Sequence, residues 1–335
     1  MPKTAVIIPY FGKFPNYFNL WAESVKYNPE IDVFLFTDNK CNCDLPSNIH
    51  LINTTFGDLK KDIQKNFDFS IKLDAPYKLC DYRPVYGLIF QNYIKEYSYW
   101  GYGDIDTIWG NMDYIIKKEL DGYDKLLDLG HFTLYKNSDK MNHLWQQKIP
   151  NSWNSFDAFR SPLEYHFDEG GGIAPISKKL GCRLYTELPG QMNFADIIPF
   201  RDDFEIAYDN SEGKTPHIFS WKKGVLTGYW VQDGQIKHRE YSYLHLQKRN
   251  MAIFVDRKDI KDGYWIVPNK FLPLTSKKIS NDFIVKTRNS SVNKPSDRNM
   301  IMQMRNFIKF RIEGRVRGIP LNGNEVYFGT EKARF

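Results

Sequence analysis

Trp100-Gly101-Tyr102-Gly103-Asp104-Ile105-Asp106-Thr107-Ile108-Trp109-Gly110 is the stretch on which the reading of the chain turns. It opens with strand-forming aromatics and sets two carboxylates one residue apart where that strand would end. In extended backbone, residues i and i+2 face the same side, so Asp104 and Asp106 are placed to converge on one cation. Oxygen ligation of this kind suits Mg2+ or Mn2+, which bridge carboxylates to phosphate oxygens. The competing reading is a chance Asp-x-Asp that opens a turn, so the surrounding elements must decide.

Working outward, Pro76–Tyr97 reads as a long helix feeding this strand. Upstream, Thr4–Pro9, Asp32–Thr37 and His50–Asn53 are short β-rich runs. Between them the apolar spacing of Asn16–Tyr27 and Thr55–Asn66 is helical. Strands alternating with helices predict an α/β, Rossmann-like, mainly parallel sheet, whose ligands sit beyond the carboxyl ends of the strands. Pro9-Tyr10, Thr37-Asp38 and Asp104/Asp106 all fall at such ends. Beyond residue 120 the alternation loosens. Lys125–Leu129, Phe132–Tyr135, Phe204–Tyr208, Val225–Gln232 and Tyr243–Leu246 read as strands of an added mixed or antiparallel portion, with a short helix at Lys140–Gln147. Two portions are expected, a main body over 1–250 and a C-terminal extension over 251–335.

Composition narrows the function classes. A hydrophobic content of 42% excludes wholesale disorder. No window approaches ~20 apolar residues, so no membrane span is expected. The start of the chain breaks too early at Pro9 for a signal peptide, and the expectation is a cytoplasmic protein. Four scattered cysteines, Cys41, Cys43, Cys80 and Cys182, are expected to be reduced thiols. Residues 286–335 carry eleven Lys/Arg against four Asp/Glu, so the net charge of +6 resides in the tail and the body is close to neutral. After Ser296, the residues Met300, Ile301, Met304, Phe307, Ile308 and Ile312 form an apolar stripe with basic flanks, predicting a basic amphipathic helix over about 297–313. It suits either packing on the body or docking at an anionic membrane, which would put the protein at the inner face of the plasma membrane. Nucleic-acid binding is disfavoured because the positive charge is confined to one end.

Ile7-Ile8-Pro9-Tyr10, Phe36-Thr37-Asp38, Lys78-Leu79-Cys80-Asp81-Tyr82-Arg83-Pro84, Gly103–Gly110, Asp168-Glu169 and Tyr243-Leu244-His245 together resemble GT-A-type nucleotide-sugar glycosyltransferases, especially bacterial ones of surface-polysaccharide assembly. The resemblance covers roughly residues 1–250. It implies a GT-A-like fold, transfer from a nucleoside-diphosphate sugar (a UDP-sugar favoured), and a glycan or lipid-linked glycan acceptor of the capsule type. Residue by residue it implies donor contact at Pro9, Tyr10, Asp38, Asp81 and Arg83, with Lys248 or Arg249 near the diphosphate. It implies Mn2+ or Mg2+ on Asp104 and Asp106, completed by His245 from a late strand; His217 is the competitor for that third place. Asp168, ahead of Glu169, is implied as the acceptor's base, against a plain acidic turn before Gly170-Gly171-Gly172. For Arg83, a fork on a phosphate oxygen competes with structural pairing to Asp81; Lys78 is a weaker donor contact. Trp100, Trp109 and Trp221 are open to base or sugar stacking or to plain core packing. A nucleotidyl- or phosphotransferase is the alternative enzyme class, disfavoured because no GxxxxGK[ST] loop is present.

Overall fold

In Ala5-Val6-Ile7-Ile8 the side chains alternate between two separate cores. Ala5 and Ile7 pack with Phe34, Phe36 and Trp100 on one face, and Val6 and Ile8 with Val33, Leu35 and Trp21 on the other. A sheet covered on both faces must be apolar at every position, which is why these strands read as continuous hydrophobic runs. The computed structural model describes residues 3–41, 44–150, 152–186, 192–199, 203–207, 215–256, 260–274 and 279–288, with a short strand pair at Tyr327–Phe328 and Glu331–Lys332. The predicted basic helix at 297–313 lies outside the described residues.

The central sheet is built from β1 (Thr4–Pro9), β2 (Ile31–Thr37), β3 (Ile49–Asn53) and β4 (Tyr99–Gly103), all parallel in the order β3-β2-β1-β4. The three-residue β5 (Thr107–Trp109) leaves this sheet. Beyond β4 the sheet continues through β7 (Phe132–Lys136), β6 (Lys125–Leu129) and β8 (Leu184–Tyr185). Because β7 runs antiparallel to β4, with Gly103 opposite Phe132, the Gly130-His131 turn between β6 and β7 arrives at the carboxyl end of β4. That single reversal brings a second loop to the expected ligand edge.

Helix α1 (Phe18–Lys26) covers one face, and α2 (Phe56–Gln64), capped by Thr55 Oγ1 accepting from the Asp58 N–H at 3.1 Å, covers the other. The helix expected over Pro76–Tyr97 is instead a chain of short turns, including Leu79–Tyr82, Tyr86–Ile89 and Gln91–Ile94. Pro84 removes a backbone donor and clashes with the preceding turn, which breaks a continuous helix. Gly87 then lets the segment press onto β4, since a Cβ there would lie 2.7 Å from the Trp100 ring.

Downstream, β13 (Tyr243–His245) pairs antiparallel with β5 and parallel with β9 (Phe194–Asp196). A six-stranded sheet holds β10 (Ile218–Lys222), β11 (Val225–Gln232), β12 (Gln235–Tyr241), β14 (Ala252–Ile253), β15 (Tyr264–Val267) and β16 (Lys270–Pro273), antiparallel but for β14 with β16. Of the expected strand at Phe204–Tyr208, the described residues form isolated bridges at Phe204 and Ile206, and Tyr208 lies outside them. The boundary expected at residue 250 falls inside the six-stranded sheet, because β15 hydrogen-bonds to β10. Ile108, Leu244, Phe219, Trp221 and Tyr264 share one core, which ties this sheet to the β5-β13-β9 layer.

Cys80 and Cys182 are free and buried, while Cys41 is disulfide-bonded, contrary to the expectation of four reduced thiols. Among the described residues no helix is long and apolar enough to cross a membrane.

Candidate functional site

The chain does not run extended from Asp104 to Asp106. β4 stops at Gly103, the backbone bends through Ile105-Asp106, and β5 begins at Thr107. Thr107 Oγ1 closes the bend by donating to the Asp104 carbonyl at 2.7 Å, and the Asp104 N–H donates to His131 O at 3.1 Å. Asp106 is buried and pinned. Its Oδ2 accepts from the Lys248 N–H at 2.6 Å, and its carbonyl accepts from the Leu246 N–H at 2.8 Å. Gln247 and Lys248 both adopt positive φ, of 51° and 56°, and this sharp turn after β13 is what directs the Lys248 N–H inward.

Register then delivers the histidine. His245 lies opposite Thr107 on one side and Asp196 on the other. Its Nε2 is 3.5 Å from Asp106 Oδ1, and its Nδ1 is 2.8 Å from Asp196 Oδ1. Ligand atoms of Asp104, Asp106 and His245 all lie within 4.8 Å of one another. Burial opposes charge on His245, but Asp106 and Asp196 outweigh it and hold its pKa well above the ordinary value. Burial likewise opposes ionisation of Asp106, yet His245 and Lys248 keep it below the usual carboxylate range.

A second cluster joins the first through Arg83. One guanidinium nitrogen, Nη2, pairs with Asp104 Oδ1; the other, Nη1, donates to Asp168 Oδ2 at 2.9 Å and to Gly130 O at 2.7 Å. Glu169 Oε1 accepts from the Gly130 N–H at 3.1 Å. Gly130 is needed for this closeness, since a Cβ there would sit 2.5 Å from Glu169 Oε1 and 2.9 Å from Arg83 Nη1. Asp168 is fully buried and its Oδ1 has no hydrogen-bond partner. Burial pushes its pKa up, against the opposing pull of Arg83. Glu169 is only half-buried.

The remaining expected residues divide. Pro9 ends β1, half-buried, and the half-buried Tyr10 beside it has its pKa raised by burial and by Asp106 and Asp104, which places it on the same edge. Asp38 is exposed after β2, beside Asn39, whose amide bridges to Gly12 O at 2.6 Å. Lys248 is exposed, with its ammonium 4.3 Å from the centroid of the Tyr77 ring.

Asp81, in contrast, faces inward. Its carboxylate accepts from Lys78 Nζ at 2.5 Å and from the N–H groups of Tyr165 at 3.0 Å and Phe167 at 2.8 Å. The expected Asp81 contact to a donor therefore gives way to a structural role, that of anchoring the loop carrying Asp168. Lys78 is buried in the same knot, so the donor contact weighed for it gives way too. Arg83 pairs with neither of them. Arg249 is buried with Ile198 O and Asn269, away from this edge. His217 packs against Trp230 and bonds Thr215 O, so of the two histidines weighed for the third place His245 is the one beside Asp106. Trp100, Trp109 and Trp221 are core residues, so base stacking by them is excluded.

Two residues were not anticipated. Asp196 holds His245 and also accepts from Gln247 Nε2 at 2.6 Å. His131 stacks over His245 with ring centroids 4.5 Å apart, and its Nδ1 is 3.1 Å from the Tyr243 hydroxyl. Burial, then the neighbouring His245, drives the His131 pKa down to about 3, so this ring is neutral. A signal for Asp196 exists: a single carboxylate within the apolar run Phe194-Ala195-Asp196-Ile197-Ile198, since a buried charge needs partners. His131, in a turn, carries no such signal.

The chain belongs to a family of unknown function, DUF6625, whose model matches residues 6–275. No curated protein matches it. Every residue of both clusters lies within the matched span.

Proposed function

We propose that this protein is a metal-dependent glycosyltransferase of the GT-A type, moving a sugar from a nucleoside-diphosphate donor, a UDP-sugar foremost, to a glycan or lipid-linked glycan acceptor in surface-polysaccharide assembly. The observation that carries the reading is the convergence of Asp104, Asp106 and His245 at the carboxyl edge of a parallel sheet. The donor set fits Mn2+ or Mg2+. Two ligands of one such ion at about 2.1 Å stand roughly 3 Å apart, close to the 3.5 Å between Asp106 Oδ1 and His245 Nε2. A nitrogen ligand among oxygens tilts the choice toward Mn2+. Asp196 supports it further, because a carboxylate on the outer nitrogen of a ligating histidine fixes its tautomer and orientation.

In this reading Asp104, Asp106 and His245 hold the ion, which supplies charge neutralisation for the diphosphate leaving group. Tyr10, Pro9 and Asp38 line the nucleoside side. Arg83 and Lys248 add positive charge toward the diphosphate, Arg83 as a planar fork held in place by Asp168. In this reading Glu169, rather than the expected Asp168, takes the role of base. Asp168 is sealed from solvent, whereas Glu169 is half-exposed, so Glu169 is the carboxylate an acceptor hydroxyl reaches.

Thermal denaturation with UDP or GDP, with and without Mn2+, tests the proposal. Ligand binding to the native state raises its melting temperature by mass action. Stabilisation by nucleotide is expected to require the metal and to disappear in Asp104→Asn and Asp106→Asn. Nucleotide stabilisation that persists in EDTA would remove the metal from the mechanism. No response to any nucleoside diphosphate would remove the donor class.

A further inference from the structure

Arg83 separates two ligand-rich groups, and only one of them is used above. On its Nη1 side, Cys80 from the turn Leu79–Tyr82 meets His166 and Asp168 from the loop that Asp81 anchors. Ligand atoms of these three residues all lie within 4.8 Å of one another, and none of the three belongs to the Asp104–Asp106–His245 group. Thiolate, imidazole and carboxylate form the donor mixture that Zn2+ takes in three-ligand sites with a fourth position open. Asp168 is buried, and its Oδ1 has no hydrogen-bond partner although its Oδ2 is held by Arg83. A buried carboxylate oxygen left bare is costly, and a cation relieves it. The local charge agrees, because the single charge of Arg83 is shared between Asp104 and Asp168 while Glu169 adds another carboxylate nearby.

We propose that Cys80, His166 and Asp168 form a second metal site, selective for a soft divalent ion such as Zn2+. Sulfur ligation discriminates against Mg2+ and Mn2+, so the two sites sort different ions. On binding, a sulfur–metal bond forms as the Cys80 thiol proton leaves to solvent. His166 ligates as the neutral imidazole, Asp168 contributes Oδ1 while Oδ2 keeps Arg83, and water takes the fourth position. No electrons are transferred. His166 is exposed and gives the ion its way in.

Co2+ titration of the full-length, reduced protein tests the site separately from the glycosyltransferase reading. Thiolate-to-cobalt charge transfer absorbs in the near ultraviolet, and the oxygen- and nitrogen-only ligands at Asp104, Asp106 and His245 cannot produce it. The band is expected at one equivalent of Co2+ and should be displaced by Zn2+. It should be lost in Cys80→Ser and retained in Cys182→Ser and Asp104→Asn. Because Cys80 is buried and its replacement can disturb folding, His166→Ala at the surface is the second variant, expected to weaken Co2+ binding by roughly tenfold or more. Absence of the band, its survival in Cys80→Ser, or unchanged affinity in His166→Ala would overturn the site. Failure of nucleotide to bind with Mn2+ would remove the glycosyltransferase reading and leave this result standing.

Discussion

At the scale of single residues, two carboxylates in this protein invite opposite experiments. Glu169 keeps one oxygen on the Gly130 N–H and is half-exposed, a geometry suited to taking a proton from a hydroxyl. Glu169→Gln preserves the hydrogen bond and removes the basicity. Turnover is expected to fall on the order of 10²–10⁴-fold with nucleotide affinity retained; equal turnover in steady-state assays would return the residue to a plain structural turn. Glu119 lies elsewhere, buried, with Oε1 accepting from Thr4 Oγ1 at 2.6 Å and Oε2 without a partner. Burial pushes its pKa up to about 7 from 4.5. The folded state therefore holds this proton more tightly than the unfolded state. Its contribution to stability is complete below pH 4.5 and declines as the pH rises toward 7. The loss amounts to about 2–3 kcal/mol at neutral pH. Glu119→Gln, already neutral, should match the wild type under mild acid and exceed it in melting temperature above pH 7. A melting difference that does not grow with pH would refute this.

At the scale of elements, the decisive piece is the broken segment after Pro76. Residues two apart on a helix stand about 200° around its axis, so a continuous helix would already carry Asp81 and Arg83 on opposite faces. The short turns on either side of Tyr82 keep that divergence, with Asp81 inward on the Tyr165 and Phe167 N–H groups and Arg83 at the carboxyl edge of β4. Removing the Asp81 carboxylate leaves Lys78 as a buried charge without its partner, a loss worth about 3–5 kcal/mol. Asp81→Ala should accordingly lower the urea midpoint by a matching amount. Under the glycosyltransferase reading it should also lower turnover, through the displaced Asp168 loop. A variant with native stability would show that the loop is held from elsewhere. Glycine spacing in the same region has an equally local cause. A Cβ on Gly101 would sit 2.1 Å from the Thr133 carbonyl, so β4 can pair closely with β7 only without a side chain there.

For the molecule as a whole, every residue of the buried apolar clusters among the described residues lies at or before Ile284. Deleting residues 289–335 separates the two readings of the tail: packing on the body predicts a lower melting temperature for the shortened protein, and membrane docking an unchanged one. If the tail docks on membrane, the same deletion should abolish co-sedimentation with anionic vesicles, each basic residue near the surface contributing roughly 1 kcal/mol in a salt-sensitive manner. Equal recovery of both forms in the supernatant would end the membrane reading and, with it, the support for a lipid-linked acceptor.

What the sequence determined by itself is whatever depends on neighbours along the chain. The two-sided apolar runs of β1 and β2 require a sheet buried on both faces. The alternation of Tyr243 and His245 puts both on one side of a strand, and the Asp-x-Asp pair marks a strand end. These follow from side-chain periods of two and 3.6 residues, which are local properties. Tertiary structure decided the rest. Arg83 meets Asp168 across 85 positions, and His245 meets Asp196 across 49. Asp81 turns inward because packing brings a loop 84 residues away against its carboxylate. No local period encodes such meetings. They arise because β7 reverses beside β4 and β13 joins β5 to β9, and only those pairings carry the charges of distant segments to one edge, where each buried charge finds the partner it requires.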